Sequence, residues 1–448
     1  MPKQYRVKCH ETDSACCGIV KFNNSTFAVD GLLPGETAYI ELVYGKDRKS
    51  NTAKLSRLET ASPQRREPFC KAFARCGGCS LQHTSYENQL AMKQSAAKCL
   101  LGCFGTVSDI IGMKNPYHYR HKIHAAFTRS RRGMELGIYE ENTHRVISVS
   151  GCAIQNKTAN KILSTIKKLA DEFRLSAYNE DTGKGLLRHV LLRCGYATGQ
   201  IMVVLVLGQT EFPGRSHFIE KLRAAHPEIT TIVQNINNKK TSMVLGEREN
   251  VLYGSGHIED ILCGLHFSIS PKSFYQVNPE QTEVLYRTAI DFAGLTGTET
   301  VLDAYCGTGT IGLIAAEGAA KVIGVESNAA AVRDAQMNAQ ANGVKNAGFI
   351  QADATDYMRN TAGKDGAVRP DVVILDPPRA GATEEFLRAV VTAAPSRIVY
   401  VSCNMETQAR DMKVLVAGGY QVERIQPVDM FPWTGHIECV VLLSKVQN

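Results

Sequence analysis

The chain has 448 residues, 44% hydrophobic and 21% charged, a balance that excludes a disordered polypeptide and leaves room for two or three domains with cores of their own. No run reaches the ~18 continuous apolar residues that span a bilayer, and the polar start Met1-Pro-Lys-Gln-Tyr-Arg lacks the apolar core of a signal peptide, so the expected location is cytoplasmic with no membrane partner. The net charge of +7 suits a polyanionic partner without requiring one, and 14 cysteines in so large a chain point to reduced thiols, metal ligands and catalysis rather than disulfides.

Residues 1–60 alternate short strand-like runs, such as Thr26-Phe-Ala-Val and Ala38-Tyr-Ile-Glu-Leu-Val, with turns. They carry Lys3, Arg6, Lys8, Lys21, Lys46, Arg48, Lys49, Lys54 and Arg57. A small basic β-barrel is expected, and Gly31-Leu-Leu-Pro-Gly-Glu between two strands resembles the turn of the TRAM domain, an OB-like RNA-binding barrel of RNA-modifying enzymes. A solvated charged face is the plainer alternative.

Next, Cys70, Cys76 and Cys79 form C-x5-C-x2-C, with Cys152 as a distant fourth ligand. Gly77 and Gly78 let the backbone fold tightly between the last two thiols. Structural zinc prefers two close pairs of ligands, whereas three clustered thiols and one remote thiol match a cubane iron–sulfur cluster better. A basic, aromatic stretch follows in Tyr117-His-Tyr-Arg-His-Lys-Ile-His and Arg129-Ser-Arg-Arg. It suits unstacked bases and phosphates, or plain surface charge, better than metal, because the residues from Lys122 onward alternate like a strand. Further on, the pattern predicts helices near 157–174 and 215–225 and strands at 187–193, 201–207 and 230–236. Cys99 and Cys103 fall four apart on an expected helix, and Cys194 and Cys263 in strand-like contexts, with no chemistry assigned to them.

From about 266 onward, apolar strands alternate with helices in βα order, which implies a parallel, doubly wound sheet. Thr300-Val-Leu-Asp-Ala-Tyr-Cys-Gly-Thr-Gly-Thr-Ile-Gly is a strand and glycine loop containing GxGxxG, with Glu326 after the next strand. Asp303 before the loop would repel a pyrophosphate, and later strands end in Gln351-Ala-Asp353 and Leu375-Asp376-Pro-Pro-Arg379. These acids suit the cationic sulfonium of S-adenosylmethionine better than a dinucleotide.

The run Arg397-Ile-Val-Tyr-Val-Ser-Cys-Asn reads as a buried strand delivering Cys403 to a sheet edge, where catalytic residues gather. Taken alone, such a cysteine is more often a packed thiol. Glu438 stands in another strand-like run, where burial between His436, Cys439 and Trp433 is expected to raise its pKa. Cys439 should face away from it, and Cys306, inside the glycine loop, is expected to pack rather than react.

The barrel turn, the cysteine motif, Ser273-Phe-Tyr-Gln-Val-Asn-Pro, Asp303-Ala-Tyr-Cys-Gly-Thr-Gly, Leu375-Asp-Pro-Pro-Arg, Val401-Ser-Cys-Asn and His436-Ile-Glu-Cys-Val together resemble the RNA uracil-C5 methyltransferases, in the branch with a TRAM domain and a 4Fe-4S cluster. The resemblance covers nearly the whole chain. It implies an α/β protein: an N-terminal OB-like TRAM β-barrel over 1–60, an α/β central domain with the iron–sulfur cluster over 61–265, and a C-terminal doubly wound, Rossmann-like methyltransferase domain over 266–448. It further implies cofactor contacts from Gln276, Tyr305, Glu326, Asp376 and, less clearly matched, Asp353, with Phe274 near the target base. The implied reaction is methylation of uridine C5, with Cys403 as nucleophile and Glu438 as base. The implied substrate is 23S ribosomal RNA, acted on by a monomer; the tRNA T-loop uridine, or a non-catalytic RNA-binding protein on the same fold, are the alternatives.

Overall fold

The structure is a computed structural model, described over residues 3–43, 52–73, 75–131, 133–140, 143–149, 151–241, 243–362 and 369–446. Lys46, Arg48, Lys49 and Arg132 lie outside the described residues.

The first strands are β1 (Gln4–Lys8), β2 (Glu11–Thr12), β3 (Gly18–Phe22), β4 (Ser25–Val29), β5 (Thr37–Val43) and β6 (Thr52–Thr60). They form one sheet in the order β1-β5-β6-β4-β3-β2, with β4 and β6 parallel and the other neighbours antiparallel. Asn23 and Asn24, both at positive φ, make the tight turn that twists β3 into β4. Val7, Val20, Phe27, Val29, Leu32 and Ile40 fill the inner side, and β1 also approaches β3, so the sheet curls around them. The buried Glu36 carboxylate ties this unit to the segment after β6, accepting from Leu33 N, Ser62 N and the Arg65 guanidinium at 2.9, 3.0 and 2.5 Å.

The middle of the chain contains α1 (Tyr86–Leu101), β7 (Lys122–Ser130), β8 (Gly133–Tyr139), β9 (Val146–Ser148), α2 (Lys157–Glu172), β10 (Leu187–Cys194), β11 (Ile201–Leu207), α3 (Arg215–Ala225), β12 (Ile229–Ile236) and β13 (Arg248–Tyr253). The strands make a sheet in the order β13-β12-β11-β10-β7-β8-β9. β10 and β11 are buried at every residue, as their unbroken apolar runs require. α2 and α3 cover one face; the hairpin β14 (Ile258–Leu262) and β15 (Leu265–Ile269) closes on the other. Cys263 sits in that hairpin's turn at φ 53°, not in a strand, and Cys103 lies beyond the end of α1.

The last sheet comes after α4 (Pro279–Ala293) and comprises β16 (Thr300–Ala304), α5 (Thr310–Ala315), β17 (Lys321–Glu326), α6 (Ala329–Ala341), β18 (Ala347–Gln351), α7 (Ala354–Thr361), β19 (Val372–Leu375), α8 (Glu384–Ala393), β20 (Arg397–Ser402), α9 (Met405–Ala417), β21 (Tyr420–Val428) and β22 (Glu438–Lys445). Its order is β18-β17-β16-β19-β20-β22-β21, parallel from β18 to β20. Helices cover both faces: α4, α5 and α6 on one, α7, α8 and α9 on the other. The sheet is not wholly parallel, because β22 inserts antiparallel between β20 and β21. Although it precedes the central sheet, α1 lends Ala96, Ala97 and Leu101 to the core under α8 and α9. Among the described residues, no helix is long and apolar enough to cross a membrane.

Candidate active site

In a doubly wound sheet, ligands meet the carboxyl ends of the strands where the winding reverses. Here the chain runs outward through β16, β17 and β18, then returns to place β19 on the other side of β16. The strand ends at that edge carry Tyr305, Glu326, Asp353, Asp376 and Cys403. Because β22 runs the opposite way, its first residue, Glu438, reaches the same edge. The ladder pairs Ser402 with Cys439, so Cys403 and Glu438 face one another just beyond it. All six residues, with Gln276 and Phe274, line one cavity of about 1260 Å³.

Local chemistry fixes each wall. Gly309, at φ 78°, turns the loop after β16 into α5, and Tyr305 itself adopts φ 64° while its ring packs on Phe386. The Glu326 carboxylate accepts from Gly307 N at 3.1 Å and Asn328 N at 2.8 Å, tying the ends of β16 and β17 together. Asp353 caps α7, accepting from Thr355 N and Asp356 N at 2.8 and 3.1 Å, so one of its oxygens is committed to the helix. The loop carrying Phe274 and Gln276 hangs on the buried Arg193 guanidinium, which donates to the carbonyls of Pro271 and Ser273, and on Ser273 Oγ, which donates to Asp334 at 2.8 Å. Phe274 remains 62% exposed at the cavity rim.

The electrostatics are those of a cavity lined by several buried acids. Burial pushes Asp376 up to about 7 and Asp303 up to about 8. Asp303 Oδ2 accepts from Gly312 N at 2.8 Å, while its Oδ1 is buried without a partner. Glu438 is raised well above the carboxylate range, first by burial and then by Asp376, with Arg379 opposing. This corrects the expected surroundings: Asp376 and Arg379 act on Glu438, whereas Trp433 packs away with Met113, Tyr119 and Ile154. Burial, Glu438 and Asp376 push the Cys403 thiol up to about 11; Arg379, within hydrogen-bonding reach, pulls it back. Arg379 is held in place by Asn404 Nδ2, which donates to its carbonyl at 3.1 Å, and by His436 Nδ1, 2.9 Å from its guanidinium.

Cys306 is buried in the core, its thiol raised strongly by burial and by Asp303 and Glu326. Cys439 is fully buried on the face opposite Glu438. Tyr286 was not legible in the sequence. Its position on the inner face of α4 brings the hydroxyl to Gln276, beside Asp376 and Glu438. Only apolar periodicity marks that helix face, and no motif signals the hydroxyl.

A second cavity of about 760 Å³ adjoins the first, sharing Gly77, Gly78, Cys79, Arg120 and Lys122. Cys70, Cys76, Cys79 and Cys152 all line it. Burial, then Cys152, Cys76 and Cys70, push the Cys79 thiol up to about 12, so the four thiols feel one another. Among the described residues, no three Cys, His, Asp or Glu side chains converge as a group that could hold a metal ion. His118 and His121 instead make bonds with backbone carbonyls, and His124 lies in β7.

Known proteins resemble this chain along most of its length. Residues 85–446 match the family model described as tRNA (Uracil-5-)-methyltransferase. An uncharacterized RNA methyltransferase of Halalkalibacterium halodurans is 43% identical over 432 residues, 95% of this chain and 94% of that protein. One from Bacillus cereus is 41% identical over 436 residues, 96% of this chain and 94% of that protein. Among solved structures, the tRNA (uracil-54, C5)-methyltransferase of Pyrococcus abyssi, in complex with S-adenosyl-L-homocysteine, superposes with a TM-score of 0.80 at 28% identity, covering 98% of this chain and 100% of that one. With a family match over most of its length and relatives above 40% identity end to end, this chain belongs to the RNA uracil-5 methyltransferases that depend on S-adenosylmethionine.

Proposed function

We propose that the protein methylates C5 of uridines in 23S ribosomal RNA, working as a cytoplasmic monomer through a covalent adduct of Cys403. The observation that carries this reading is the opposition of Cys403 and Glu438 across the end of the β20–β22 ladder, inside a cavity of acids. C5 of uracil is a poor nucleophile. Addition of the Cys403 sulfur to C6 pushes the ring electrons toward C5, with Arg379 favouring the thiolate. When bound, S-adenosylmethionine supplies the methyl group that C5 takes. Gln276, Tyr305, Glu326, Asp376 and Asp353 are the residues to hold it, and the acids suit its positive charge. Glu438 then takes the C5 proton; the C–H electrons restore the C5–C6 double bond, and the C6–S bond breaks to free Cys403. The high proton affinity of Glu438 suits that role. Phe274, exposed at the rim, is the candidate to pack against an unstacked base.

The sheet over residues 4–60 is read as an OB-like TRAM barrel that grips RNA, and Cys70, Cys76, Cys79 and Cys152 as ligands of a 4Fe-4S cluster. What supports this reading is the C-x5-C-x2-C spacing and that all four thiols line one cavity; their side chains do not converge as a metal-holding group in this structure. A cluster there would be structural, since the proposed reaction transfers no electrons. Protein purified without air should be brown with about four irons per chain; stoichiometric zinc and no visible absorbance would exclude it.

A second substrate is favoured by the match over 98% of this chain to the Pyrococcus abyssi tRNA (uracil-54, C5)-methyltransferase and by the description of the matching family model. Mass mapping of 5-methyluridine in rRNA and tRNA from a deletion strain separates the two. Loss from 23S rRNA alone is expected; loss from the T-loop alone would transfer the activity to tRNA. For the mechanism, Cys403→Ala should form no RNA adduct and transfer no methyl group. Glu438→Gln should transfer the methyl but stall, accumulating a protein–RNA conjugate that survives denaturing gels. Turnover of Glu438→Gln near the wild-type rate would remove Glu438 from the role of base.

A further inference from the structure

The segment 429–437, which delivers Glu438 to the cavity, is held at Asp429 and Met430 partly by Gln281 and Asn278, and from Pro432 to Gly435 by side chains and backbone of residues 80–119. Ser80 N and Leu81 N both donate to the Trp433 carbonyl, at 2.9 and 3.0 Å. Gly435 N donates back to Ser80 Oγ at 3.2 Å. Trp433 N donates to the buried Gln89 side chain at 3.0 Å, and its indole N–H to the Pro116 carbonyl at 2.8 Å. Trp433 itself stands at φ 68°, a left-handed conformation that a bulky residue keeps only when its surroundings enforce it. Its ring lies edge-on to Phe69 and packs with Tyr117 and Tyr86, in a cluster that Cys79 and Cys152 also touch.

Resting on the reading of Glu438 as the base, we infer that Ser80 is a positioning residue for that base. Together with the Leu81 N–H, it clamps the strained Trp433–Gly435 turn, so the loop that follows Cys79 sets the aim of the catalytic carboxylate. The two bonds from Ser80 and Leu81 fix the Trp433 carbonyl, and the Ser80 hydroxyl fixes Gly435, three residues before Glu438. The nucleophile is held by other contacts, those of Asn404 and α9. Loosening the clamp should therefore slow removal of the C5 proton and leave addition of Cys403 intact.

Trp433 is the single tryptophan of the chain, so its fluorescence reports this turn alone. In Ser80→Ala and in Cys79→Ala, its emission should shift to the red and become more open to acrylamide quenching. With RNA and S-adenosylmethionine, Ser80→Ala should lower kcat on the order of tenfold with little change in KM, while the denaturation-resistant RNA conjugate accumulates. Ser80→Thr, which keeps the hydroxyl, should restore wild-type fluorescence and turnover. Fluorescence that does not respond, conjugate that stays at the wild-type level, or equal loss of conjugate formation and turnover would each overturn the inference. The proposed base fails separately, through wild-type turnover of Glu438→Gln.

Discussion

The acids of the cavity set the behaviour of single residues. With Asp376 pushed up to about 7, Asp303 up to about 8 and Glu438 raised well above the carboxylate range, this group of acids shares protons at neutral pH in the unliganded chain, because burial disfavours the charged forms. A sulfonium among them favours the ionised forms and lowers those pKa values. Binding of S-adenosylmethionine should therefore release protons, and its affinity should rise as pH increases from 6 to 8. The neutral thioether S-adenosylhomocysteine should show a shallower rise. Calorimetry in buffers of different ionisation enthalpy measures the released protons directly; equal pH slopes for the two ligands would contradict the argument. The positions of Cys403, Asp376 and Glu326 at strand ends were readable from apolar runs stopping at a polar residue. Tyr286 was not, because a helix face looks the same whether its tyrosine packs or points into a cavity.

At the scale of elements, the decisive feature is the reversal of β22. A βα pattern suggests a parallel sheet throughout, and under that reading Glu438, at the start of its strand, would sit at the far edge. The antiparallel insertion brings it back to Cys403. α1 locks this arrangement: Lys93 and Asp429, both fully buried, pair at 2.5 Å, Tyr86 OH donates to the same carboxylate at 2.7 Å, and Lys93 also reaches the Phe431 carbonyl. Lys93→Met should strand Asp429 as an unpaired buried charge and cost about 3–5 kcal/mol. Denaturant unfolding checks this, and a loss below about 1 kcal/mol would mean that Asp429 simply takes up a proton. In the glycine loop's neighbour strand, a side chain at Gly324 would run into the ring of Phe349. Gly324→Val should destabilise by about 1–3 kcal/mol, read as a lowered melting temperature.

At the scale of the molecule, the N-terminal sheet is not a detached appendage. Ser14 Oγ donates to Glu406 in the first turn of α9 at 2.5 Å, and Gly435 lies against the Ala15 carbonyl, so this unit reaches the wall beside Cys403. Deleting it would disturb the active site whether or not it touches RNA, and surface charge is the cleaner probe of the proposed RNA contact. Arg6 is paired with Glu59 and Arg57 lies over Tyr39, whereas Lys8, Lys21 and Lys54 are exposed. Replacing those three lysines with glutamine should weaken RNA binding and reduce the slope of log K against log salt by about 2. An unchanged slope would show that RNA does not lie on this sheet.

Chemical type and local order were written in the residue string: a thiol after a buried strand, acids after three others, glycines where the backbone turns left-handed, four cysteines in an uneven spacing. These depend on interactions within a few residues, which composition and periodicity record. Partnership across the chain was not written there. That Cys403 meets Glu438, that Asp376 rather than Trp433 tunes it, that α1 buries a charge pair under a distant strand, and that Ser80 grips Trp433 all depend on strand direction and on packing between segments far apart in the chain. Burial then sets the pKa of each group, and burial belongs to the assembled fold.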